Sequence, residues 1–236
     1  MKTLSIVIPV FNEENTVHEL LNKVISVKLP KGFIKEIIVI DDGSFDNTSK
    51  ILKFFSKKIT LITHTQNMGK GAAVRSGFKN IEGDYIIIQD ADLEYDPEDF
   101  KKLLKPIIRG KSEVVYGTRL LDYPLKLWGK EKTILPSHLI GNKLLTFFTN
   151  LLYRSNLTDM ETCYKLFTKN VVESINLKSS GFDIEPEITA KILKKNIKIL
   201  EVPIKVVPRT HKEGKKISWR DGFQAILTLI KYRFYD

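Results

Sequence analysis

Cysteine is nearly absent: Cys163 is the only one among 236 residues. One thiol excludes an internal disulfide and any cysteine-cluster metal site, and it fits a reducing compartment. Nowhere do ~18 apolar residues run together, so no segment is expected to cross a bilayer by itself. The chain starts into Leu4-Ser5-Ile6-Val7-Ile8-Pro9 and then the acidic Asn12-Glu13-Glu14. That start lacks the length and small-residue cleavage site of a secretion signal. Internal repeats, low-complexity tracts and an interdomain linker are missing too, so a single domain over residues 1–236 is expected. A chain this long buries a large core without staples.

The charge is divided unevenly. The net +10 arises from 12 Lys and Arg against 15 Asp and Glu in residues 1–100, then 26 against 13 in residues 101–236. A basic second half suits nucleic acid, anionic lipid or a phosphorylated substrate, and equally suits solvated lysine-rich helix faces. A nucleic-acid module would need basic stretches interleaved with aromatics, or a helix-turn-helix, and neither is visible.

The first half alternates strands with helices. Leu4–Pro9, Glu36–Ile40, Ile59–Thr63 and Tyr85–Gln89 are short apolar runs rich in Ile and Val, the mark of strands buried on both faces. Val17, Leu20, Leu21, Val24 and Ile25 recur at helical spacing. Asp46-Asn47-Thr48 reads as a capped start for a second helix, Gly71–Phe78 as a third, and Asp96-Pro97-Glu98-Asp99 as the start of a fourth. The pattern predicts an α/β fold with a mostly parallel sheet and helices on both faces. Further on, Glu113–Gly117, Cys163–Phe167 and Ile199–Val206 read as strands, and Leu139–Tyr153, about 185–195 and Gly222–Arg233 as helices. Ser218 with Asp221 resembles a capping box for the last helix.

The placement of acids is the strongest functional signal. Asp41-Asp42-Gly43-Ser44 follows the second strand, and Asp90-Ala91-Asp92-Leu93-Glu94 follows the fourth. Open α/β sheets bind ligands at the carboxyl ends of their strands. Two acidic clusters at one edge repel each other unless a cation or a donor-rich ligand compensates. If Asp90, Asp92 and Glu94 alternate along an extended segment, their side chains converge, and hard oxygen ligands suit Mg²⁺ or Mn²⁺. Asn67-Met68-Gly69-Lys70-Gly71 is neither a Walker loop nor a full dinucleotide fingerprint. Glycines and a lysine before a helix can still cradle phosphate.

Taken in order, Ser5-Ile6-Val7-Ile8-Pro9-Val10-Phe11-Asn12-Glu13-Glu14, Ile38-Val39-Ile40-Asp41-Asp42-Gly43-Ser44, Asn67–Gly71 and Asp90–Glu94 resemble glycosyltransferase family 2, the nucleotide-sugar enzymes of the GT-A (Rossmann-like) fold. Within it, Tyr116-Gly117-Thr118-Arg119, Leu157–Phe167 and Pro208–Ile217 are similar to the polyprenyl- and dolichyl-phosphate hexose synthases. The resemblance implies a nucleotide-sugar and metal half over 1–120 and an acceptor half over 121–236. It implies that Pro9, Phe11, Glu13, Asp41, Asp42, Lys70 and Asp90 meet the nucleotide, and that Asp92, with Glu94 at a position where some relatives use Gln as a third ligand, meets Mg²⁺ or Mn²⁺. Asp92, Asp159 and Arg119 are its catalytic set. Arg119, Arg209 and Lys215 hold the acceptor phosphate, and His138 and Asn142 lie on the acceptor-side helix.

The implied reaction is an inverting transfer of a hexose from GDP-mannose or UDP-glucose to a polyprenyl or dolichyl phosphate. A glycan or protein acceptor is the alternative. A phosphate monoester has a second pKa near ~6, so this acceptor needs cationic positioning more than a base. Asp159 is accordingly expected to orient the acceptor. Leu139–Tyr153 and Phe223–Tyr235 are apolar, aromatic and dotted with Lys and Arg, as interfacial helices are, though core helices look similar. The expected location is peripheral, at the cytoplasmic face of a membrane, with the lipid reached directly or through a membrane partner protein.

Overall fold

A computed structural model describes residues 1–120, 136–207, 209 and 219–235. Among the described residues seven strands form one sheet: β1 (Lys2–Val10), β2 (Phe33–Asp41), β3 (Thr60–Thr63), β4 (Tyr85–Ile88), β5 (Val114–Thr118), β6 (Lys165–Thr168) and β7 (Ile199–Pro203). Their order is β3-β2-β1-β4-β6-β5-β7. All neighbours pair in parallel except β6, which opposes both β4 and β5.

β1 anchors the sheet. Leu4, Ile6, Val7 and Ile8 have no exposed surface, because parallel strands covered on both faces bury every second residue in each direction. Each such side chain contributes ~1.5–3 kcal/mol. β1 pairs with β2 along its whole length, from Lys2 opposite Phe33 to Val10 opposite Asp41. That register delivers the loops after both strands to one edge.

The helices are α1 (Val17–Ser26), α2 (Thr48–Phe54), α3 (Lys70–Phe78), α4 (Phe100–Ile108), α5 (Pro136–Tyr153), α6 (Lys169–Ser174), α7 (Ile184–Lys194) and α8 (Trp219–Phe234). α3 packs on β1 and β2. It comes so near that a Cβ on Gly77 would stand 2.3 Å from Val7 Cγ1. Small residues (Ala72, Ala73, Gly77) permit this approach. α5, α7 and α8 form a second layer over a smaller apolar cluster that includes Leu145, Met160, Leu229 and Tyr232.

Several expectations shift. Asp96 accepts from Glu98 N and caps a short 3₁₀ turn over Pro97–Asp99, and α4 begins only at Phe100. α6 had no signal in the sequence, since its apolar spacing spans less than two turns. The apparent strand tail after Pro203 leaves the sheet and makes a single bridge, Val206 to Tyr95. Ser218 of the suggested capping box lies outside the described residues.

Candidate active site

Because β1 stands between β2 and β4, chain growth reverses across the sheet there, and a crevice opens at the strand ends. A cleft of about 910 Å³ occupies it. Pro9, Phe11, Glu13, Asp42, Lys70, Asp90, Asp92, Glu94, Arg119 and Arg209 all line this one space. The expected donor and acceptor residues are therefore brought together, with three qualifications.

Asp41 does not face the cleft. Its carboxylate is buried at the end of β2, accepting from Ser44 N at 3.0 Å and from the Ser49 hydroxyl. It shapes the β2–α2 turn. Asp159 is likewise fully buried. Arg119 donates to it from Nε and a terminal nitrogen, both at 2.7 Å, and from its backbone N at 2.9 Å. A two-bond fork of this kind fixes the guanidinium plane. Asp159 thus orients Arg119, and only Arg119 reaches the cleft. Lys215 and the side chain of His138 lie outside the described residues; Asn142 lines the cleft on α5.

Asp42 organises the loop before α3. It accepts from Met68 N at 3.0 Å and Gly69 N at 2.8 Å, and pairs with His64 Nδ1 at 2.6 Å. Gly69 has φ +93, and a Cβ there would sit 2.4 Å from Ser180 O, so both backbone angle and space demand glycine. The neighbours of this loop take two of the amides at the start of α3. Gly71 N donates to Gly181 O and Ala72 N to Ser180 O, each at 3.1 Å. Those two donors are spent on the 179–181 segment, and the Lys70 side chain reaches the cleft.

Lys70 Nζ lies 2.8 Å from Asp90 Oδ1 and 3.0 Å from Glu185 Oε1. Burial opposes its charge, yet Asp90 and Glu185 outweigh it and hold the ammonium well above the ordinary lysine value. The same pairing keeps the Asp90 carboxyl low despite burial. Glu185 also takes the buried Lys165 ammonium, so two lysines share one carboxylate at the cleft floor. Removing one member of such a buried set costs ~3–5 kcal/mol.

The acidic loop after β4 is a turn, not the expected extended run: Leu93 has φ +64, and Glu94 N donates to Asp92 Oδ1 at 3.1 Å. The three carboxyls consequently diverge. Asp90 turns to Lys70, while Glu94 accepts from Arg209 N at 2.9 Å. Among the described residues no three His, Cys, Asp or Glu side chains form a metal-holding group. Asp92 remains. Burial, with Asp90 and Glu94 nearby, pushes its carboxyl up to about 7. Such a group is short of positive charge, which fits a cation held by Asp92 and completed by a ligand's own oxygens.

Arg209 lines the cleft with Arg119 and is tied to its donor side. Its Nε donates to Asp92 O at 2.7 Å and a terminal nitrogen to Glu13 Oε2 at 2.9 Å. It bolts the segment after β7 onto the donor loops. Sequence reasoning missed Glu161, Lys165, Glu185 and Glu201. Glu185 stands in the first turn of α7, where acids are ordinary caps. Glu201, which accepts from Thr158 N and Asp159 N, is one polar residue in a strand. Lys165 carried the only legible sign, a charge inside an apolar run.

This sheet, with a polar cleft at its switch point, is that of a GT-A glycosyltransferase. The same fold is found in glucosyl-3-phosphoglycerate synthase from Mycobacterium tuberculosis, crystallised with Mn²⁺, uridine diphosphate and phosphoglyceric acid. The TM-score is 0.75 over 100% of this chain and 80% of that one, at 18% identity. The model for Glycosyl transferase family 2 matches residues 5–175, and the chain belongs to that family.

Its relatives include a UDP-N-acetylglucosamine–dolichyl-phosphate N-acetylglucosaminyltransferase of Methanococcus voltae, 28% identical over 97% of this chain and 95% of its own length. A dolichol-phosphate mannosyltransferase of Pyrococcus furiosus is 30% identical over 90% of this chain and 58% of its own. A low-salt glycan biosynthesis hexosyltransferase of Haloferax volcanii is 29% identical over 95% of this chain. The chain spans about half the length of that last protein, at 52%.

Proposed function

We propose that this glycosyltransferase moves a hexose, with inversion and with a divalent metal, from a nucleotide sugar to a polyprenyl or dolichyl phosphate. GDP-mannose and UDP-glucose are the donors to test. The observation that carries the reading is the two-ended character of one cleft. Asp90, Asp92 and Lys70 stand at its polar end, Arg119 lies on its wall, and Leu144, Phe147, Phe148 and Ile226 from α5 and α8 give it an apolar side. A lipid phosphate has that same division. The dolichyl-phosphate relatives support it.

Phe11, beside Phe45 at a centroid distance of 5.9 Å, suits contact with a base. Arg119, locked by Asp159, holds the acceptor phosphate toward the anomeric carbon, and attack from the face opposite the leaving diphosphate inverts that centre. A divalent cation bound at Asp92 supplies Lewis-acid neutralisation of the charge that develops on the diphosphate.

The same helices support docking at a membrane surface. α5 exposes Ile140, Leu144, Phe147 and Leu151, and α8 exposes Phe223, Leu227, Ile230 and Phe234. Each set repeats at i, i+4, i+7 and i+11, one face of a helix. Lys143, Lys231 and Arg233 are exposed on the same helices, as suits anionic headgroups. No helix among the described residues is long and apolar enough to cross a membrane.

Purified protein with Mn²⁺ and each donor should transfer hexose to a short polyprenyl phosphate, and not to the matching polyprenol or to a soluble glycan. Transfer to the glycan alone overturns the lipid-phosphate reading and leaves the family assignment standing.

A further inference from the structure

Between the donor corner and the Arg119 fork stands a carboxyl that neither of them engages. Glu161 lines the cleft two residues beyond Asp159. Its Oε1 is shut off from solvent and meets no hydrogen-bond partner among the described residues. Charged groups surround it: Lys165 on β6 and Arg119 after β5 favour its ionisation, while Glu185 on α7 and Asp159 on its own loop oppose it. Burial is the larger effect and pushes the carboxyl up to about 7. Near neutrality it is therefore protonated in a large fraction of molecules.

A protonated carboxyl offers one O–H donor and acceptor oxygens. That is the complement of a hydroxyl, which also donates once and accepts. It is a poor complement to phosphate alone, which Arg119 already serves. Position narrows the ligand further. On one side Glu185 links to Lys70 and, through it, to Asp90; on the other, Asp159 holds Arg119. Whatever passes from the nucleotide to the acceptor must lie between those two groups. A buried oxygen without a partner is costly until a ligand answers it, and a bare nucleoside diphosphate carries no sugar to do so.

We propose that Glu161 hydrogen-bonds a hydroxyl of the transferred hexose and is thereby a specificity-determining residue for the donor sugar. This rests on the hexosyltransferase reading given above. Calorimetric titration separates the sugar from the nucleotide: wild type, Glu161→Gln and Glu161→Ala are each titrated, with Mn²⁺, against UDP, UDP-glucose, GDP and GDP-mannose. Glu161→Ala should bind the preferred nucleotide sugar about tenfold more weakly, or about 1.4 kcal/mol, with the affinity for its nucleoside diphosphate unchanged. Glu161→Gln, whose amide both donates and accepts, should stay within about threefold of wild type.

Equal sugar-nucleotide affinity in all three proteins overturns the assignment, as does an equal loss of both ligands in the Ala variant. A Gln variant that binds as wild type but turns over about a hundredfold more slowly makes Glu161 a proton acceptor instead, which also overturns it. Wild type that binds none of the four ligands overturns the hexosyltransferase reading and this inference with it.

Discussion

Asp159 gives both carboxylate oxygens to Arg119 and exposes none of its own surface. An Asn there offers one acceptor where two are needed and leaves a buried guanidinium undercompensated. Asp159→Asn should therefore lose about 3 kcal/mol of stability in urea unfolding. Transfer should fall with it, because Arg119 loses its orientation, while nucleoside diphosphate affinity stays at the wild-type value. Unchanged stability would mean that the fork is not formed in solution.

Asp92 makes a pH-dependent contribution that disfavours the folded state at high pH. Its folded-state carboxyl is raised to about 7 by burial and by Asp90 and Glu94, against about 3.9 in an unfolded chain. Between those values the folded state holds the extra proton, so stability falls as pH rises through that window. In the absence of metal, Asp92→Asn should melt a few degrees above wild type at pH 8, for a gain of about 1 kcal/mol, and no higher at pH 4. Its transfer activity with Mn²⁺ should be lost. A variant that is both active and no more stable would remove Asp92 from the metal's place.

At the level of elements, α3 and the pair α5–α8 contrast. α3 was legible as a helix from Gly71–Phe78, but its role was not. Its first amides bond to the 179–181 segment, a partner more than a hundred residues away that no local pattern announces. α5 and α8 were legible as apolar helices, equally consistent with core and surface. The structure decides for both at once: one face packs on α7 and on each other, and the other stays open. Leu151→Glu with Phe234→Glu, neither lining the cleft, should reduce sedimentation with anionic liposomes about tenfold or more. Transfer to a short acceptor in detergent should be kept. Wild type that ignores anionic liposomes at low salt would end the surface-docking idea and leave a membrane partner protein to deliver the lipid.

Over the whole molecule, charge and topology act together. The basic excess of residues 101–236 lies in the part that supplies α5 and α8, while the acidic loops come from residues 1–100. The cleft lies where the two parts meet. A nucleoside diphosphate with Mn²⁺ should raise the melting temperature by bridging them, by an amount that grows with ligand concentration, and EDTA should abolish that increment and the transfer activity alike. A shift that survives EDTA would show that the nucleotide binds without metal.

The α/β class, the four strands of the first half, the family motifs and the edge at which the acids gather are all legible in the order of residues along the chain. These depend on short-range properties: apolar runs, caps and the alternation of strand with helix, all legible within a window of ten or so residues. Which carboxylates are available is settled only once the chain is folded. Asp41 and Asp159 turn inward, Asp90 is taken by Lys70, Glu94 by Arg209, and Asp92 and Glu161 stay near neutrality. β6 runs against both β4 and β5, a direction its own four residues do not announce. A carboxyl's charge and partner depend on burial and on groups far away in the chain, and residue identity at one position carries neither.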